Sequence, residues 1–173
     1  YFCGSGPQHL EVLHMHPEVA RALESGLPLG VTHFFRHRES FAALEWTIPQ
    51  LYAGKRSDAQ VRAWVAGCAT GEEAYSIAIL LCEHAARLES PPAVQIFASD
   101  LDSRAIETAR AGLYPIGIAG DMAPERLQRF FTKEDSSYRI KEEIRDLVVF
   151  TTHTVLPDSP FTKLAPLSSR NFL

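Results

Sequence analysis

The chain has little of what several function classes require. Its three cysteines, Cys3, Cys68 and Cys82, are odd in number and lack C-x-x-C spacing. They read as free thiols of a reducing compartment, not as a disulfide framework. A net charge of −4 leaves no basic surplus for nucleic acid or an anionic membrane. No apolar run reaches the ~18 residues of a membrane span. The first residues lack the charged-then-apolar layout of a signal peptide. These features lead to the expectation of a cytoplasmic protein with no nucleic-acid partner and no direct membrane insertion. His33 and His37 stand at i, i+4, and His14 and His16 at i, i+2, but neither pair has a third ligand of matching type nearby. No metal is therefore expected. There is no Ser-His-Asp order, no internal repeat and no low-complexity segment.

The chain does have the length and apolar content of a globular domain: 173 residues, 46% hydrophobic and 22% charged. Its most informative stretch runs from Val61 to Ala78. An apolar run, 61–66, enters a short turn bounded by Gly67 and Gly71, and the turn opens into an amphipathic helix predicted over 72–88. A second apolar run, 94–99, ends in Asp100 and Asp102. Strand, glycine turn, helix, strand and carboxylate form the layout of a nucleotide-type cofactor site in a Rossmann-like sheet. The glycine spacing is not G-x-G-x-x-G, and Glu72 and Glu73 occupy the first helical turn. Two carboxylates there repel a pyrophosphate. They favour a ligand without phosphates and with a positive charge, such as S-adenosylmethionine (SAM).

Local chemistry assigns several roles and leaves others open. Thr70 and Glu73 have the T-x-x-E spacing of a capping box, so Glu73 reads either as a cap or as a contact for the cationic end of a ligand. Asp102 immediately precedes a helix predicted over 103–111 and suits its N-cap, which leaves Asp100 for ribose hydroxyls. Gly112 reads as the C-terminal stop of that helix. Arg36 follows Phe34 and Phe35 and reads either as a solvated arginine or as a group that orients a carboxylate.

Gly67-Cys68-Ala69-Thr70-Gly71-Glu72-Glu73-Ala74-Tyr75-Ser76-Ile77-Ala78 resembles the SAM-binding motif of the CheR-type methyltransferases, the chemotaxis protein-glutamate O-methyltransferases. The resemblance runs in order from about Leu27 to Leu173, through Gly30-Val31-Thr32-His33-Phe34-Phe35-Arg36, Phe97–Asp102, Ala105–Pro115, Glu125–Phe131 and Ser168-Ser169-Arg170-Asn171. It implies an α/β, Rossmann-like SAM-dependent methyltransferase fold with a small antiparallel β-subdomain and an N-terminal helical segment. The expected boundaries are 1–56 for the helical segment and linker and 57–173 for the SAM-binding domain, with the β-subdomain at about 113–152. Within it, Tyr138–Ile140 and Leu147–Thr152 are the β-rich runs.

The resemblance further implies SAM as cofactor, S-adenosylhomocysteine as product, and glutamates of a chemoreceptor cytoplasmic domain as substrate. It makes Arg36 the catalytic candidate, with Arg170 competing for that role. It makes Thr32, Arg36, Gly67, Gly71, Glu73, Asp100, Thr154, Val155, Arg170 and Asn171 the cofactor-site candidates. The loop 132–137 is short and lacks glycine, so recognition independent of a receptor's terminal pentapeptide is expected.

Gly30 and Thr154 stand where the family has asparagine, and Ala165-Pro166 replaces Asp-Leu. These departures support one alternative, a non-catalytic SAM- or S-adenosylhomocysteine-binding module; a second, a small-molecule methyltransferase, stands because fold does not fix substrate. Only 61–66, 94–99 and about 164–169 read as core strands, so the chain is expected to be a piece of a larger protein, such as a methylesterase–methyltransferase fusion. A sheet cut short is expected to leave an apolar edge.

Overall fold

The computed structural model describes residues 32–152 and the backbone of Ala165–Ser168. Its elements, in chain order, are α1 (Arg38–Tyr52), β1 (Gln60–Ala66), α2 (Glu72–Ala85), β2 (Ala93–Asp100) and α3 (Ser103–Ala111). They continue with β3 (Leu113–Pro115), a 3-10 turn (Ile116–Gly120), α4 (Pro124–Phe130), β4 (Phe131–Glu134) and β5 (Ser137–Ile140). The last are α5 (Glu142–Arg145), β6 (Val148–Thr152) and β7 (Ala165–Ser168).

Four strands form a parallel sheet in the order β6-β2-β1-β7. One face carries Val61, Ala63, Val65, Ile96, Ala98, Val148 and Phe150, most of them fully buried. Helices α2 and α3 pack against these strands, which makes that side the core. α2 is apolar on most of its circumference, from Ala74 to Leu81, and is buried accordingly. Ser76 is the buried polar exception. The chain passes from β1 to β2 and β6 on one side and returns to β7 on the other. The carboxyl end of β1 therefore lies at the topological switch point, where ligands of open α/β sheets bind.

Two expectations for the strands are corrected. Leu147–Thr152 was assigned with Tyr138–Ile140 to the antiparallel subdomain, but Val148–Thr152 pairs in parallel with Ile96–Asp100. Val148 and Phe150 are buried on the core face, so burial decides which sheet the run joins. The antiparallel sheet is the smaller set β3-β5-β4. The loop expected over 132–137 is a hairpin in which Glu134 pairs with Ser137. Only Asp135 and Ser136 lie between the strands, and Asp135 takes a left-handed φ of 42°, which aspartate tolerates better than most residues. Pro166, out of place in a regular strand, sits where the β1–β7 register shifts, between the Trp64↔Pro166 and Val65↔Ser168 pairs. A bulge can absorb the missing donor.

α1 packs on α2 through Tyr52, whose hydroxyl donates to the Leu81 carbonyl at 3.0 Å. Among the described residues, α1 and the sheet belong to one compact unit that starts at Thr32.

The ends of α3 follow the sequence. Asp102 accepts from the Arg104 N–H, and Gly112 closes the helix in the left-handed region with φ 61°. A Cβ on Gly112 would fall 2.6 Å from Ile140 Cγ2. Gly112→Ala should therefore lower stability by about 1–3 kcal/mol, from left-handed strain and overlap together. A urea transition with an unchanged midpoint would contradict this reading of the turn.

Candidate functional site

The turn after β1 is held by the end of β2. Ala69 is left-handed, with φ 46°, and its N–H donates to Asp100 Oδ2 at 2.7 Å. The other oxygen, Oδ1, accepts from the Asp102 N–H at 2.9 Å. The Cys68 N–H continues the ladder to the Ser99 carbonyl at 3.0 Å. Asp100 thus spans from its own strand to the neighbouring turn. Each carboxylate oxygen keeps a further lone pair.

Glycine is required at both ends of the turn. Gly67 has φ 66° and Gly71 φ 93°. A Cβ on Gly71 would meet Ala109 Cβ at 2.8 Å and the Phe150 ring at 3.2 Å. The turn is therefore pressed onto α3 and β6, and Gly71 is the N-cap of α2.

Thr70 is not the N-cap that the T-x-x-E spacing suggests. The N-cap of α2 is Gly71, which has no side chain to cap with. The Thr70 hydroxyl instead donates to Glu72 Oε2 at 2.6 Å. With the left-handed Gly71 at the cap position, Thr70 stands one residue outside the box geometry. Glu72 is 8% exposed, and burial raises its carboxyl above the ordinary 4.5, opposed by the Thr70 hydroxyl. Glu73, the residue singled out in the sequence, is half-buried on the same turn. Cys68 is buried beneath the turn, and desolvation followed by the Asp100 charge pushes its thiol up to about 12. It is a packing residue, not a nucleophile.

The segment Thr32–His37 reaches this turn through its backbone. The Phe34 N–H donates to Asp121 Oδ2 at 3.2 Å, and the Phe35 N–H to Ser76 Oγ at 3.0 Å. Ser76 Oγ in turn donates to the Glu72 carbonyl at 2.6 Å. Phe35 and His37 are left-handed, with φ 51° and 61°. Thr32 is half-buried and Arg36 exposed. The Phe34 ring meets Tyr114 edge-on at 4.9 Å and Phe131 at 5.2 Å. The Tyr114 hydroxyl donates to the Thr70 carbonyl at 2.8 Å.

The structure therefore brings Gly67, Gly71, Glu73 and Asp100 together and links the Thr32–Arg36 segment to them through Ser76. Thr154, Val155, Arg170 and Asn171 lie outside the described residues. The sequence reading missed Ser76, Tyr114, Asp121 and the burial of Glu72. Ser76 carried a signal: it is a polar residue four positions after Glu72, on an otherwise apolar helix.

The family model described as CheR methyltransferase, SAM binding domain, matches residues 30–173. The chain belongs to that family. It is 42% identical over 167 residues to an uncharacterized 104.1 kDa protein in the hypE 3' region of Rhodobacter capsulatus, covering 95% of this chain and 17% of that protein. It is 33% identical over 151 residues to chemotaxis protein methyltransferase 2 of Pseudomonas aeruginosa, covering 85% and 52%. It is 31% identical over 140 residues to the chemotaxis protein methyltransferase of Salmonella typhimurium, covering 79% and 46%. The chain thus spans from 17% to 52% of the length of these three relatives.

SAM is the cofactor that this family's domain binds, and the donor set fits it. The turn offers carboxylates to a sulfonium or ammonium group, and its acid-lined helix start disfavours phosphate.

Two outcomes follow. Asp100→Ala removes the acceptor that holds Ala69 and should weaken S-adenosylhomocysteine binding by about 1–3 kcal/mol. Unchanged affinity in calorimetry would remove Asp100 from the site. Glu72 has a folded pKa above 4.5, so the folded state keeps a proton that the unfolded chain releases. Its contribution to stability falls as pH rises through the window that opens at 4.5. Glu72→Gln should flatten that part of the melting-temperature profile, and identical profiles would contradict the burial argument.

Proposed function

We propose that this chain is the SAM-binding part of a protein-glutamate O-methyltransferase that methyl-esterifies glutamates of a chemoreceptor's cytoplasmic domain. The observation that carries the reading is the acid-lined turn Gly67–Glu73, tied to Asp100 at the carboxyl ends of two parallel strands. SAM supplies a methyl group already activated on a sulfonium, leaving S-adenosylhomocysteine.

The remaining work belongs to the chain. The free lone pairs of Asp100 accept ribose hydroxyls. Glu73, on the first turn of α2, complements the cationic amino-acid end. Thr32 contributes to the pocket wall from its own segment. By resemblance, Thr154, Val155, Arg170 and Asn171 complete the wall. A glutamate carboxylate is a competent nucleophile, so no general base is needed. Holding one oxygen about 3 Å from the methyl, in line and away from water, is sufficient. Arg36 suits this task because a guanidinium grips the second carboxylate oxygen without exchanging a proton.

Recognition of the receptor is independent of a terminal pentapeptide. The two-residue Asp135-Ser136 turn offers no extended loop, and Arg139 braces its hairpin on Glu134 at 2.6 and 2.9 Å. The expected location is cytoplasmic. Among the described residues no helix is long and apolar enough to cross a membrane.

The second reading, a non-catalytic binding module, is favoured by the Gly30, Thr154 and Ala165-Pro166 departures from the family pattern. Methyl-tritiated SAM and a chemoreceptor cytoplasmic fragment separate the two. Catalysis gives a base-labile methyl ester on the fragment, whereas binding without transfer supports the module. Arg36→Ala in the full natural chain should lower turnover by at least about 100-fold while changing S-adenosylhomocysteine affinity far less. Near-normal turnover would make Arg36 a solvated residue beside Phe34 and Phe35.

A further inference from the structure

Arg126, on α4, lies outside every motif assigned to the cofactor or the acceptor. Its guanidinium sits over the Phe35 ring, 4.5 Å from the centroid. It is fixed there by a two-point contact with Glu83, Nε to Oε1 at 2.9 Å and Nη2 to Oε2 at 2.7 Å. Glu45 of α1 adds a third contact at 3.3 Å. One planar cation thus joins α1, α2 and α4 and covers the ring of the residue that precedes Arg36. A guanidinium that spends both edges on carboxylates still has its flat face for an aromatic ring.

Phe35 needs such a restraint. Its φ of 51° is uncommon for an aromatic residue. Its N–H is held by Ser76 Oγ, and its ring also meets Phe41 edge-on at 5.4 Å. With the N–H fixed by α2 and the ring capped by Arg126, Phe35 has few ways to relax. The direction in which the chain leaves Phe35 is the direction in which Arg36 enters.

We propose that Arg126 is a positioning residue for methyl transfer: stacked on Phe35 and locked by Glu83, it holds the left-handed backbone that sets the place of Arg36. The inference rests on the role proposed for Arg36. Arg126 itself touches neither cofactor nor acceptor in this account. Its action passes through one residue, so its loss should be felt only while Arg36 is present.

The test is a double-mutant cycle in the full natural chain, with methyl-tritiated SAM and a receptor cytoplasmic fragment that the wild type methylates. Arg126→Leu should lower kcat about 10- to 100-fold. S-adenosylhomocysteine affinity should change by less than about threefold, because the Ala69–Asp100 turn is untouched. In an Arg36→Ala background, Arg126→Leu should cost nothing further. Amide exchange of Phe35 in the ligand-free protein should speed up, a readout independent of turnover. Arg126→Lys keeps a charge for Glu83 but loses the planar stack, so it should recover little activity. Phe35→Leu removes the ring from the other side and should repeat the loss if Arg126→Leu fails to fold.

An additive loss in the Arg36→Ala background, or unchanged Phe35 exchange, overturns the inference and leaves the function standing. Normal turnover of Arg36→Ala overturns both this inference and the catalytic assignment. Absence of any transfer by the wild type overturns the proposed function first and this inference with it.

Discussion

One carboxylate holds the turn on which the rest of the site depends. Asp100 accepts the Ala69 N–H across the gap between β2 and the turn after β1, and with its second oxygen the Asp102 N–H of its own chain. Ala69 is left-handed without being glycine, a conformation that the surrounding structure must impose. A charge-assisted bond of 2.7 Å supplies that restraint. The turn then meets α3 and β6 closely enough that Gly71 has no room for a side chain. The strand order places this tie at the switch point of the sheet, so a ligand crevice and the Ala69–Asp100 bond share one location.

Two other segments are built onto that turn. Ser76 connects it to Phe35 through the Glu72 carbonyl, and Tyr114 connects it to the antiparallel sheet through the Thr70 carbonyl. The cofactor turn, the Thr32–Arg36 segment and the β-subdomain are far apart in sequence. They meet through hydroxyls that each bond a backbone carbonyl of residues 70–72, and through the edge-on Phe34–Tyr114 contact. The charge of the site follows from the same turn. Burial favours the neutral form of Glu72, so half-buried Glu73 and Asp100 supply the negative charge. A carboxylate-lined helix start of this kind favours a cation over phosphate.

Features governed by local geometry were legible in the sequence. The glycine turn, the Asp102 cap and the Gly112 stop each depend on one or two residues, and each stands where the residue types required it. The α/β class and the parallel pairing of β1 with β2 followed from apolar runs separated by a helix. Features settled by packing were not legible. The T-x-x-E spacing at Thr70 and Glu73 gave way to a glycine cap. Val148–Thr152 joined the parallel sheet because Val148 and Phe150 face the core, and short β-rich runs do not state which sheet they enter. The Phe35–Ser76 bond and the contacts of Asp121 and Arg126 span long sequence separations, where no spacing rule applies.

An acid-lined turn tied to Asp100 should accept a nucleoside with a cationic amino-acid end and refuse a dinucleotide. Isothermal titration of the protein with S-adenosylhomocysteine and with NAD, at the same pH and salt, tests it most directly. Saturable binding of S-adenosylhomocysteine and no measurable binding of NAD are the expected result. NAD binding as tight as that of S-adenosylhomocysteine, or tighter, would contradict it.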